Sequence, residues 1–254
     1  MRFFTQTIRI FNIVRLIIDP FLSMSNLIRK HMNTTARAMI AAAAMMFATQ
    51  AQAADIPQSA ELKYSGSYGI PATMTFKRTG NNYTVTANIN VPMYKMRFVS
   101  GGSIVDNQLK PSYYKDIRNG KTYAEAKFSG NQITLGKAGE LHNETVSGPV
   151  MDLFTLSWQL ALNEGKLPVG LKITNGKKLY SASGLTKTGT ATQSIAGGKT
   201  TVNKYSLRRG DSTAAYAFAP NLGNVPAQIN YSDDGKNYNL KLTSVKINGK
   251  TIKP

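Results

Sequence analysis

From Leu62 onward the chain keeps a two-residue rhythm: apolar and polar residues alternate over short runs, and each run stops at residues suited to a tight reversal. Tyr83, Val85, Ala87 and Ile89 fall on one face, with Thr84, Thr86, Asn88 and Asn90 on the other, as in a half-buried strand. Residues 70–78, 113–118, 121–128, 199–208 and 238–245 repeat the pattern. Asn119-Gly120, Asn175-Gly176, Asp234-Gly235 and Asn248-Gly249 suit primed two-residue turns, which need positive φ where Asn, Asp and Gly tolerate it. Gly80-Asn81, Gly130-Asn131 and Gly197-Gly198 mark looser turns. Strands this short with turns this frequent predict an antiparallel meander.

Residues 151–163 break the rhythm. At helical spacing Asp152, Thr155, Gln159 and Asn163 make one narrow polar stripe, while Met151, Leu153, Phe154, Leu156, Trp158, Leu160, Ala161 and Leu162 cover the rest. A helix so apolar must be largely enclosed. Ser147 or Asp152 can cap its start, and Gly165 with Pro168 stops it. The expected fold is mainly β: a curved antiparallel meander sheet, closed or nearly closed into a barrel or spiral, wrapped around one central α-helix. Trp158 and Phe154 are candidates for core packing or for a ligand wall, with packing preferred for Trp158.

The N-terminus reads differently. Arg37 precedes an apolar run over residues 38–48, and Ala51-Gln52-Ala53 follows as a small-x-small cleavage site, so a signal peptide over 32–53 cut between Ala53 and Ala54 is expected. The run is shorter than the roughly 20 residues that span a bilayer. Residues 1–31 carry Arg2, Arg9, Arg15, Arg29 and Lys30 among apolar residues. They read as an over-extended start, with Met24 and Met32 as later starts than Met1, or as an amphipathic membrane-surface helix. Residues 54–254 are then one β-rich periplasmic domain.

Export reframes the charge. The whole chain has 31 Lys and Arg against 13 Asp and Glu, a net +18. Residues 1–53 hold six of the former and one of the latter, so 25 and 12 remain, a net +13. Outside the cytoplasm, anionic lipid, lipopolysaccharide or acidic wall polymer fits this charge better than nucleic acid. Lys77-Arg78, Lys177-Lys178 and Arg208-Arg209 all lie near predicted turns and make a candidate anion-binding rim, against the alternative of solvated strand ends that deter edge pairing.

Chemistry is sparse. No Cys is present, which excludes thiol nucleophiles, disulfides and Cys-ligated metals, and His142 is the single His after the leader. Ala196-Gly197-Gly198-Lys199-Thr200 imitates the end of a phosphate loop, but Gln193 stands where a Gly is needed and a strand follows instead of a helix. Glu140, His142 and Glu144 would share one face of a strand and could hold a metal, although a solvated loop is the preferred reading. No catalytic residue, metal or cofactor is assigned.

Four segments carry a family resemblance: the exported leader; Ser100-Gly101-Gly102-Ser103-Ile104-Val105 followed by Leu109-Lys110-Pro111-Ser112-Tyr113-Tyr114; Asp152 to Leu160; and Asn224-Val225-Pro226-Ala227-Gln228. In that order they resemble the bacterial envelope proteins grouped as domain of unknown function 3108. The resemblance implies a periplasmic β-rich domain and brings no catalytic residues. The favoured reading is a non-enzymatic envelope protein that binds a lipid, another amphiphile or an envelope protein partner. The alternatives are a hydrolase or modifying enzyme acting on cell wall or glycan, or an interaction module without a pocket.

Overall fold

The computed structural model describes residues 56–254, apart from position 234 and the side chains of positions 233 and 236. Segments 1–31 and 32–53 and the Ala53–Ala54 junction lie outside the described residues. The first eight strands are β1 (Ser59–Ser65), β2 (Pro71–Thr79), β3 (Asn82–Val91), β4 (Tyr94–Val105), β5 (Gln108–Arg118), β6 (Lys121–Ser129), β7 (Gln132–Lys137) and β8 (Glu140–Thr145). After β9 (Val150–Asp152) comes the helix α1 (Leu153–Leu162). Then follow β10 (Lys172–Thr174), β11 (Leu179–Ile195), β12 (Gly198–Arg209), β13 (Ser212–Ala219), β14 (Val225–Asp233), β15 (Lys236–Ile247) and β16 (Lys250–Ile252).

All sixteen strands belong to one sheet. Its order is β8-β7-β6-β5-β4-β3-β2-β1-β15-β14-β13-β12-β11-β10-β9, with β16 added on β15. Pairing is antiparallel except between β9 and β10, which run parallel because the helix lies between them as a crossover. The predicted meander is therefore present, with one parallel pair that the alternation does not announce. Hydrogen bonds do not close the sheet: β8 and β9 are its two edges, although only residues 146–149 separate them in the chain. Near this seam Gly136 N–H donates to Gly176 O at 2.8 Å, and Lys172 N–H to Pro149 O at 2.9 Å.

The turns follow the local chemistry. Asn119-Gly120 (φ 47° and 81°) and Asn248-Gly249 (φ 50° and 78°) are primed turns, and each Asn side chain also accepts a neighbouring backbone N–H, from Lys95 and Ser59 respectively. Asp106-Asn107 makes the same turn at φ 50° and 59°. Asn175-Gly176 differs: only Gly176 has positive φ, and the Asn175 side chain accepts from Lys177 and Lys178 N–H instead.

All ten residues of α1 are buried, so the sheet encloses even its polar stripe. The buried polar side chains Asp152, Thr155, Ser157 and Gln159 each have a partner inside. Asp152 Oδ1 caps the helix by accepting from Phe154 N–H at 2.9 Å and Thr155 N–H at 3.1 Å. Thr155 meets Ser100 hydroxyl to hydroxyl, Ser157 donates to Phe154 O, and Gln159 Oε1 accepts from Leu109 N–H at 2.6 Å. At the far end Asn224 Nδ2 donates to Ala161 O at 2.6 Å. Trp158 is 2% exposed, its ring 5.0 Å from Phe76. Helix and sheet thus share one buried interior.

The sheet splays once, and the gap is filled. β14 and β15 pair only from Gln228–Lys241 to Asp233–Lys236; beyond Lys241 they diverge. On the side of β15 that β14 leaves, Gln193 Nε2 donates to Leu242 O and also to Ala227 O, both at 3.2 Å. Ala196 N–H donates to Thr243 O at 2.9 Å, and Val245 to Ile247 pair with β16. Tyr64 bridges the same gap from β1, its hydroxyl donating to Pro226 O at 2.8 Å. Buried backbone carbonyls demand partners, and here a folded-over hairpin supplies them.

Candidate functional site

Successive connections of a meander alternate between the two ends of the sheet. The β1–β2, β3–β4, β5–β6, β12–β13 and β14–β15 connections share one end, the upper one. The β2–β3, β4–β5 and β11–β12 turns share the lower end. This divides the candidate basic rim. Lys77 and Arg78 lie at the lower end beside Thr84 and Tyr83, whereas Lys177, Lys178, Arg208 and Arg209 lie at the upper end. A single rim does not form, because β2 carries its basic pair away from the end that β12 reaches.

Arg209 is not on a rim at all. It is 3% exposed, donates to Ser232 O and to Ser212 Oγ, and lies 4.4 Å from the Tyr180 ring centroid. Beside it Arg118 grips the buried Asp116 through two nitrogens, with Nη2 to Oδ2 at 2.8 Å, and lies 3.6 Å from the centroid of Tyr123. Burial disfavours the Arg118 charge, but the hydrogen bonds and charge of Asp116 outweigh that and raise its pKa. These groups line a recess of about 20 Å³ above the helix N-terminus, room for roughly one water. They plug one half of the upper end.

The other half is open and apolar. A groove of about 240 Å³ is walled by Ile70, Ile89, Val91, Met96 and Leu240, with the Tyr94 and Tyr238 rings towards the plug. Three separate stretches build it: the loop after β1, the β3–β4 hairpin and the start of β15. Tyr238 stacks on Tyr231 at 4.8 Å, Tyr231 meets Phe154 edge-on at 6.3 Å, and Phe154 lies 5.2 Å from Phe98. Phe154 thus sits beneath the mouth within an aromatic series, 4% exposed, while Trp158 is deeper. Lys95, between the groove residues Tyr94 and Met96, and Lys241, beside Leu240, are exposed on the outer face of the same strands. A wider recess of about 590 Å³ occupies the lower end, lined by Leu109, Phe128, Val146, Pro149 and Pro168 among others.

The polar cluster of the sequence is on β8, not in a loop. Glu140, His142 and Glu144 alternate along this edge strand and so share a face, with His142 Nε2 3.1 Å from Glu144 Oε1. His142 and Glu140 are exposed to solvent. Charges on an unpaired edge repel a second strand, which is the structural use this placement allows. Among the described residues no group of three or more His, Asp or Glu side chains could hold a metal ion.

Fold and site together define a mainly β, barrel-like domain with a helix for its core and one half-open mouth. No family model matches the chain, and no curated protein matches it. Among solved structures it is similar to a beta-barrel-like protein of domain of unknown function DUF1849 from Brucella abortus, at 6% sequence identity and a TM-score of 0.43, over 76% of this chain and 98% of that one.

Proposed function

We propose that this domain is a non-enzymatic envelope protein, exported to the periplasm, whose upper mouth binds one apolar chain of an anionic amphiphile. The apolar groove carries the reading. Its 240 Å³ lies just below the range of about 300–1,000 Å³ typical of sites that engulf a whole ligand, so it suits a single chain and not an entire lipid. Lys95 and Lys241 would meet the head group at the water boundary. The helix fills the interior, so carriage of a lipid inside the barrel is not part of the proposal.

The test is titration of the domain with a single-chain phospholipid bearing an anionic head group, beside a Val91→Trp variant that fills the groove. Val91 is only partly buried, so the fold should tolerate the larger ring. We expect saturable binding that Val91→Trp weakens about ten-fold or more, a loss of at least one fully buried apolar segment. Equal binding by both proteins, or none by either, overturns the reading.

A further inference from the structure

Two large apolar side chains at the upper end are fully exposed. Tyr68 and Met93 each have a relative accessibility of 102%, and both have positive φ, 58° and 61°. Bulky residues rarely adopt this left-handed conformation, because Cβ crowds the following carbonyl. Met93 follows Pro92 in the β3–β4 turn, where Pro followed by a positive φ is the type II arrangement and Gly or Asn is the usual occupant. Tyr68 precedes Gly69 in the short loop after β1. That loop is held rigid by Gly66 N–H to Ile70 O at 2.7 Å and Gly69 N–H to Gly66 O at 3.1 Å. Neither side chain packs on the protein to repay the backbone strain. Strain retained at an exposed position points to a use outside the molecule.

Their placement indicates which use. β2 joins the two tips through Ala72–Ile89 pairing, so they stand on neighbouring connections, with Tyr68 at the lip of the apolar groove and Met93 between the groove residues Val91 and Tyr94. Exposed cations lie on the strands and turn nearby: Lys95 and Arg97 on β4, Lys121 at the β5–β6 turn and Lys241 on β15. Apolar tips with exposed cations on adjoining elements match an anionic bilayer surface, where the tips enter the acyl boundary and the cations meet head-group phosphates.

We propose that the upper end docks on the surface of an anionic membrane, with Tyr68 and Met93 as the inserting residues. The proposal rests on the amphiphile reading in using the same mouth, which would then face the lipid it samples. Flotation with vesicles of phosphatidylglycerol and phosphatidylethanolamine, against vesicles of phosphatidylcholine alone, tests it. Tyr68→Gly combined with Met93→Gly removes both side chains while giving each position the residue its backbone favours, so lost binding cannot be blamed on lost folding; thermal unfolding of the variant checks this. The wild-type domain should float with anionic vesicles and be released as salt rises, and the double variant should bind about ten-fold more weakly or worse. Equal flotation of wild type and double variant, or equal binding to anionic and neutral vesicles, overturns the docking proposal while leaving the single-chain titration to judge the groove. Loss of cross-links to an envelope protein in the double variant, with no vesicle binding by the wild type, overturns it in favour of a protein occupant.

Discussion

At the scale of single residues, close approach dictates identity more than exposure does. Gly102 lies in β4 where the β4–β5 register slips between Gly101 and Gly102. A Cβ at Gly102 would stand 2.0 Å from Lys110 O and 2.8 Å from Pro111 Cα, both backbone atoms that cannot swing aside. Gly102→Ala should therefore lose about 3 kcal/mol or more of unfolding free energy, well beyond an ordinary glycine replacement, as read from urea midpoints. The neighbouring Ser100 meets Thr155 of the helix, so the Ser-Gly-Gly-Ser run lets the chain pass close to its core. The same economy explains other segments singled out in the sequence: Asp152 caps α1, Asn224 closes its far end, and Pro226 O accepts from Tyr64. All are structural. These contacts fix the helix within the sheet, and of these segments Phe154 lies beneath the mouth.

At the scale of elements, the β11–β12 hairpin works as a clasp. Gln193, the residue that spoils the phosphate-loop likeness, holds two diverging strands through one amide. Gln193→Ala should lower stability by about 1–2 kcal/mol by leaving the Ala227 and Leu242 carbonyls without that donor, measured by chemical denaturation. Hydrogen exchange should quicken at β14 and β15 residues beside the gap before it does elsewhere. Much of the element plan was legible in the sequence: strands from the two-residue period, primed turns from Asn-Gly, and the enclosed helix from residues 151–163. Each is decided by neighbours in the chain. The strand at Glu140–Thr145 was hidden, because its side chains are mostly exposed and so carry no alternation to read. The mouth was hidden for another reason: its walls come from residues 66–70, 89–96 and 237–240, which meet only once β1 pairs with β15. One local sign did exist. Pro92-Met93 puts a bulky residue where turn chemistry asks for Gly, and such a breach can be read without a structure.

For the whole molecule, buried phenols set the alkaline limit. Tyr64, Tyr83 and Tyr216 come from three different strands around the helix. Burial raises the pKa of all three, and the Asp152 carboxylate adds to the rise for Tyr83 and Tyr216. A tyrosine whose pKa is higher folded than unfolded gives stability that is complete below the unfolded value of about 10 and declines as pH climbs past it. Unfolding free energy should hold steady from pH 7 to about 10 and fall above it, with the phenolate absorbance of these three rings appearing only on unfolding. An early, gradual rise of all the phenolate absorbance without loss of structure would contradict this.

The strand order also has a kinetic meaning. Read from β9 to β15 and then from β1 to β8, every strand lies beside its neighbour in the chain, so the architecture is two runs of neighbour pairing, hairpins except for the β9–β10 crossover, and one distant joint. That joint is β1 on β15, where Ser59 meets Asn248 across 189 positions of sequence. During synthesis β1–β8 and the helix can form early, but β1 must wait with an unpaired flank until nearly the whole domain has been made. The interval between the first hairpins and that last pairing is when the chain is most open to joining with a second copy of itself, and it is there that assistance during folding would act.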